Sequence, residues 1–178
     1  MLKRDWLKLQ YTLPSFERIV QSWDTAIKAQ SHHDASACLT FGQSQGMSYL
    51  LDAQVMRLEY PDLKRACLSL AHQFKPHAIL IEDKASGQQL LQDLQRETSL
   101  PLLAVSSHNN KVTRFAGISA MIEAGRLSLP QHAPWLAAFE SELLHFPHAK
   151  HDDQVDALMH YLDFCRKNNF DKLTIRRL

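Results

Sequence analysis

Between residues 16 and 58 the apolar positions fall in three short runs with no helical period. FERIVQSWDTA (16–26) carries the β-formers Ile19, Val20 and Trp23, and the polar stretch IKAQSHHD (27–34) then turns the chain. ASACLTFGQ (35–43) and GMSYLLDAQVMRL (46–58) are two further strands, joined through GQSQG (42–46), whose glycines suit a hairpin turn. The period then changes: Leu63, Cys67, Leu70, Ala71 and Phe74 line one helical face, and Pro76 stops that helix.

HAILIED (77–83) is a continuous apolar run ending in acids, the pattern of a strand buried on both faces. Gly87 opens a helix through QQLLQDLQRE (88–97), and PLLAVSS (101–107) is the next strand. NNKVTRFAGISAMIEAG (109–125) reads as a helix closed by Gly125, and RLSLP (126–130) as a brief strand. Two amphipathic helices follow, APWLAAFESELLHF (133–146) and DDQVDALMHYLDFCRK (152–167). Trp135, Phe139 and Phe146 read as core. Three strands followed by alternating helices and strands predict an α/β fold. Its central sheet is mixed parallel and antiparallel, with helices on both faces. Residues 1–16 form a lead-in broken at Pro14, residues 17–168 the domain, and residues 169–178 a basic tail.

Composition narrows the class. With 178 residues, 45% hydrophobic and 22% charged, the chain can bury about 70% of its unfolded surface and build one real core. No apolar run is long enough to span a membrane, and the N-terminus lacks the apolar stretch of a secretory signal. Cys38, Cys67 and Cys165 are an odd, widely spaced set, which suits buried thiols in a reducing cytosol. A net charge of +1 gives no global field for nucleic acid, so any such partner must be met by a local patch. One such patch is the tail, where Arg166, Lys167, Lys172, Arg176 and Arg177 face one acid, Asp171. Such tails are mostly solvated ends, and a partner-binding role is the alternative.

The carboxylates supply the chemistry. Asp24 ends the first strand, Glu82 and Asp83 end HAILIED, and Asp152, Asp153 and Asp156 begin the last helix. Ligand sites in open α/β sheets lie at the carboxyl ends of strands. Each acid also has a plain reading: Asp24 as a turn residue, Asp83 as a solvated junction, Asp152 and Asp153 as a cap and a first-turn charge. Asp156 lies one turn in and is harder to explain by capping. If Asp24, Glu82 and the Asp152/Asp153 pair converge, their repulsion calls for a cation. Oxygen donors without cysteine suit Mg²⁺ or Mn²⁺, and two such ions could clamp the oxygens of a phosphodiester displacement. Spacing leaves open which of Asp152, Asp153 and Asp156 would bind. His151 is a further candidate ligand, whereas His32 and His33 read as a polar loop. There is no GxxxxGK[ST], GxGxxG or GxSxG motif.

SWDTA (22–26), LIEDKASG (80–87), KVTRFAGISAMIEAGRLSLP (111–130) and ELLHFPHAKHDDQVDAL (142–158) together resemble the C-terminal nuclease domain of the large terminase subunit of tailed bacteriophages. The resemblance runs over roughly residues 15–165, with the motifs in the family's order. It implies an RNase H-like fold and metal-dependent endonucleolytic cleavage of double-stranded concatemeric viral DNA during genome packaging. Asp24, Glu82 and Asp153 would be catalytic. Asp152 is a close match for the last metal ligand beside Asp153, and Asp156 a less firmly matched position. Two Mg²⁺ or Mn²⁺ ions are implied, with a free water as nucleophile.

The resemblance also implies an N-terminal ATPase domain in full-length relatives, although no Walker motif is present in this chain. Residues 1–16 would then be the remnant of an interdomain connection. The portal and a small terminase subunit would be partners of the full enzyme, acting in the cytoplasm of a bacterial host, with the domain alone monomeric. Lys84, Lys111 and Arg114 are candidate contacts to the DNA backbone. The competing readings are a structure-selective resolvase or transposase-type nuclease, and a non-catalytic DNA- or portal-binding module.

Overall fold

The computed structural model describes residues 2–26, 35–106 and 110–168. Seven strands form one sheet in the order β1-β7-β4-β3-β2-β5-β6. They are β1 (Lys8–Gln10), β2 (Arg18–Asp24), β3 (Ser36–Ser44), β4 (Met47–Met56), β5 (Ala78–Glu82), β6 (Leu102–Val105) and β7 (Leu127–Pro130). The helices are α1 (Tyr60–Phe74), α2 (Ala85–Glu97), α3 (Lys111–Glu123), α4 (Leu136–His145) and α5 (Asp153–Lys167). β2, β3 and β4 pair antiparallel, while β5, β6, β7 and β1 join in parallel, so the sheet is mixed as expected.

The β3–β4 hairpin is tighter than the glycines at 42 and 46 suggested. The strands run on to Ser44 and Met47, and Gln45 and Gly46 alone make the turn, at φ 50° and 73°. Two positive φ values are what a two-residue turn between right-twisted strands requires. The lead-in also holds more structure than its pattern showed. A short 3₁₀ turn (Arg4–Trp6) precedes β1, and β1 pairs with β7. Three residues are too few for alternation to register; the neighbouring strand makes the element.

Alternation along the central strands divides the interior in two. On one face Val20, Leu39, Phe41 and Leu80 pack against α3, α4 and α5, with Phe139 and Phe146 inside that core and Trp135 at its edge. On the other, Trp23, Cys38, Ile79 and Ile81 pack against Leu63 and Cys67 of α1 and Leu90 and Leu94 of α2. Ile79, Leu80 and Ile81 are fully buried, because β5 is covered on both faces. Helix α5 is the main lid of the first core. Tyr161 stacks flat on Phe41 of β3, ring centres 3.7 Å apart, and donates a 2.7 Å hydrogen bond to Ser48 Oγ of β4.

Candidate metal centre

β2 and β5 are adjacent parallel strands with Trp23 opposite Ile81, so their last residues, Asp24 and Glu82, end side by side. Trp23 and Ile81 point into the α1–α2 core, and the period of two turns Asp24 and Glu82 to the opposite face, under α5. Ser22 fixes the helix there: its Oγ donates to the Ala157 carbonyl at 2.7 Å, inside a buried contact. The first turn of α5, with Asp153 and Asp156, is thereby held over the ends of both strands.

The start of α5 is not capped by its own acids. Asp152 occupies the cap position without a side-chain cap bond. Glu142 of α4 does that work, its Oε1 accepting from the backbone N–H of Gln154 at 2.7 Å and of Val155 at 3.0 Å. Its Oε2 accepts from Gln154 Nε2 at 2.7 Å. Burial pushes the Glu142 carboxyl above its usual range, against the pull of these hydrogen bonds. With the helix end satisfied from outside, the aspartates are left to the cluster.

That cluster is strongly acidic. Burial, followed by the charges of Asp156, Glu82 and Asp153, raises the Asp24 carboxyl from 3.8 to about 8. Asp153 is raised by burial and by Asp152 beside it. At Asp156 burial outweighs an ion pair, and its carboxyl is raised as well. The pairing cation is Lys111, at the start of α3, whose Nζ lies 2.5 Å from both Asp152 Oδ2 and Asp156 Oδ2. Burial works against the Lys111 charge, but its bonds to these two acids hold the ammonium above the usual lysine range.

Glu82 has cationic company too. Lys84 Nζ lies 2.7 Å from Glu82 Oε1, and the nearly buried His160 of α5 places Nε2 3.8 Å from the same oxygen. On the ring's other side Arg114 approaches Nδ1 at 3.2 Å and Asp163 at 3.4 Å. A guanidinium only donates, so Nδ1 accepts and the neutral ring carries its proton on Nε2, toward Glu82. Burial lowers His160 to about 4, with Arg114 and Lys84 adding to the effect against Glu82, so the ring is neutral at ordinary pH.

Asp24, Glu82 and His160 each offer a ligand atom, all within 4.8 Å of one another. Two carboxylates backed by Asp153 and Asp156, with too few cations to balance them, match the oxygen-rich donor set that a hard divalent ion requires. With Nδ1 taken by Arg114, the Nε2 side of His160 faces Glu82 at 3.8 Å, beyond hydrogen-bond distance.

The positions expected from sequence divide clearly. Asp24, Glu82, Asp152, Asp153 and Asp156 gather at one end of the sheet. Lys84, Lys111 and Arg114 stand among them, paired with these acids or with Asp163. Asp83 is exposed at the strand end. His151 is exposed beside the cluster, along a cleft that Asp153 also lines. His32, His33 and residues 169–178 of the tail lie outside the described residues. Two contributors were not anticipated. His160 sits four residues after Asp156, a same-face spacing that could have revealed it. Glu142 acts across a loop, and no local pattern marks it.

No curated protein matches the chain in sequence. The large terminase nuclease of thermophilic phage G20c superposes with a TM-score of 0.66 at 15% identity, over 89% of this chain and 94% of that one. Structures of that nuclease carry bound zinc, magnesium or cobalt. The human cytomegalovirus terminase nuclease domain superposes with a TM-score of 0.65 at 10% identity, over 93% and 95%. The large terminase of a second thermophilic bacteriophage gives 0.68 at 9% identity over 92% of this chain, which spans 43% of that protein. The fold is therefore RNase H-like. The sequence profile of the family described as the terminase RNaseH-like domain matches residues 21–163, and this chain belongs to that family.

Proposed function

We propose that the chain is a metal-dependent endonuclease that cleaves double-stranded concatemeric viral DNA during phage genome packaging. The observation that supports this reading best is the convergence of Asp24 and Glu82, from adjacent strand ends, with Asp153 and Asp156 of α5, where burial and then the charges of Asp156, Glu82 and Asp153 raise Asp24 to about 8. Asp24, Glu82 and Asp153 are the catalytic acids, with Asp152 and Asp156 completing the set available to two Mg²⁺ or Mn²⁺ ions. When bound, such ions lower the pKa of a bound water and stabilise charge on a phosphoryl group.

The protein's own part is positioning. Asp24 and Glu82 bind from a rigid sheet, with the neutral ring of His160 lying beside the Glu82 carboxylate. Lys111, paired with Asp152 and Asp156, offsets part of their charge, and Lys84 and Arg114, paired with Glu82 and Asp163, stand at the rim where they could touch the DNA backbone as secondary contacts. Burial under α5 limits access of bulk water. The family supports a wider setting for this reading: an N-terminal ATPase domain in the full-length protein, a portal and small subunit as partners, and the cytoplasm of the host as the place of action.

Nicking of supercoiled plasmid in Mn²⁺ or Mg²⁺ tests the reading. The wild-type chain is expected to convert supercoiled DNA to open-circular and linear forms, whereas Asp24→Ala and Glu82→Ala leave it at the no-enzyme background. Equal cutting by either variant would overturn the assignment. Preferential cleavage of a four-way junction would move it to a resolvase, and duplex binding with no cleavage in any metal to a docking module.

A further inference from the structure

Lys84, Lys111 and Arg114, the three candidate contacts to the DNA backbone, are each already engaged with an acid in or beside the centre. Lys84 pairs with Glu82, Lys111 with Asp152 and Asp156, and Arg114 with Asp163. Beside the centre, on the Asp153 side, an open cleft of about 580 Å³ runs between the end of β4, α4 and the loop leading into α5. Its exposed basic groups are Arg57, just past β4, and Lys150 in the loop, with His145, His148 and His151 between them. Among the described residues, neither Arg57 nor Lys150 has a carboxylate partner within ion-pair distance. Two acids also line the cleft: Glu142, whose oxygens accept from the N–H groups of α5, and Asp153, where the cleft meets the acidic cluster.

We infer that this cleft is the track along which the sugar–phosphate backbone of the duplex runs to the metal centre, with Arg57 and Lys150 as its phosphate contacts. The inference rests on the nuclease reading above and adds the path of the substrate. Cations without a carboxylate partner are available to phosphate, whereas cations already bound to carboxylates contribute less. Imidazole donors between them are suited to hydrogen bonds with phosphate oxygens, without reading base sequence. The cleft also opens at Asp153, so a strand lying in it would pass the acidic cluster rather than end on a remote face.

The test is duplex binding, measured by fluorescence anisotropy across a salt series in EDTA, where cleavage is absent. Arg57→Glu combined with Lys150→Glu is expected to weaken binding at least about tenfold and to lower the log–log salt slope by about two, one for each phosphate no longer neutralised. Arg65→Glu, an exposed position on α1 across the sheet, is expected to bind as wild type. The thermal shift caused by Mn²⁺ should be unchanged in the double variant, showing an intact centre. Wild-type affinity and slope in the double variant would overturn the track, as would an equal loss at Arg65. Metal-dependent nicking by the wild type reports on the nuclease reading separately, so a failed track with intact cutting leaves that reading standing.

Discussion

Asp24 concentrates the electrostatic cost of the centre in one side chain. Its carboxyl titrates at about 8 in the folded protein against 3.8 in an ordinary setting, chiefly through burial and then through Asp156, Glu82 and Asp153. Below about pH 4 both folded and unfolded chains hold this proton. Between about 4 and 8 the unfolded chain releases it while the fold retains it, so the contribution of Asp24 to stability falls as pH rises through that window. Asp24→Asn should therefore raise the melting temperature in EDTA at pH 8, by roughly 2–4 °C for each kcal/mol of repulsion relieved, and change it little at pH 5. The same variant should lose the Mn²⁺-induced rise seen in the wild type; differential scanning fluorimetry reads both. At this scale the acids were legible because each ends a strand or begins a helix. His160 was less so, since its importance comes from Arg114, 46 residues away, which fixes where its proton sits.

Elements bring these residues together, and the β5–α2 junction is the tightest place. A Cβ on Gly87 would overlap the carbonyl oxygen of Glu82, so only glycine lets the start of α2 return so close to the strand end. Alanine is the better helix former by about 1 kcal/mol, yet here it must displace Glu82 or the helix. Gly87→Ala is expected to keep its far-UV circular dichroism while plasmid nicking falls about 100-fold, the cost of misplacing a catalytic group by about 1 Å. Wild-type cutting rates would show that the junction yields without moving the acid. Most elements were readable from period and punctuation: the apolar run of β5, the stripe of α1, Gly125 after α3. The strand β1 was not, because it is made by pairing rather than by its own pattern.

Across the whole molecule the sheet is a partition with a separate core on each side, and the N-terminal segment serves one of them. Leu2 and Leu7 are buried in the core under α3, α4 and α5, at 5% and 9% exposure. Removing residues 1–10 takes both side chains out of that core and strips β1 from β7, a loss of about 3 kcal/mol or more at roughly 1.5–3 kcal/mol per buried leucine. Urea unfolding should show that loss as a lower midpoint, with Mn²⁺ binding kept in the folded fraction. Fold class was legible from the sequence because strand–helix alternation is a chain-order property. Strand order was not, since β7 inserting between β1 and β4 joins segments some 80 to 120 residues apart. The carboxylate that Glu142 lends to the start of α5 has a consequence of the same long range. Because a neighbouring helix secures the N–H groups of Gln154 and Val155, position 152 is released from capping that end, and the protein separates what must stay for folding from what can change for chemistry. The acid at 152 could be exchanged to suit a different ion without unseating the helix, a freedom that a helix capped by that aspartate would not have.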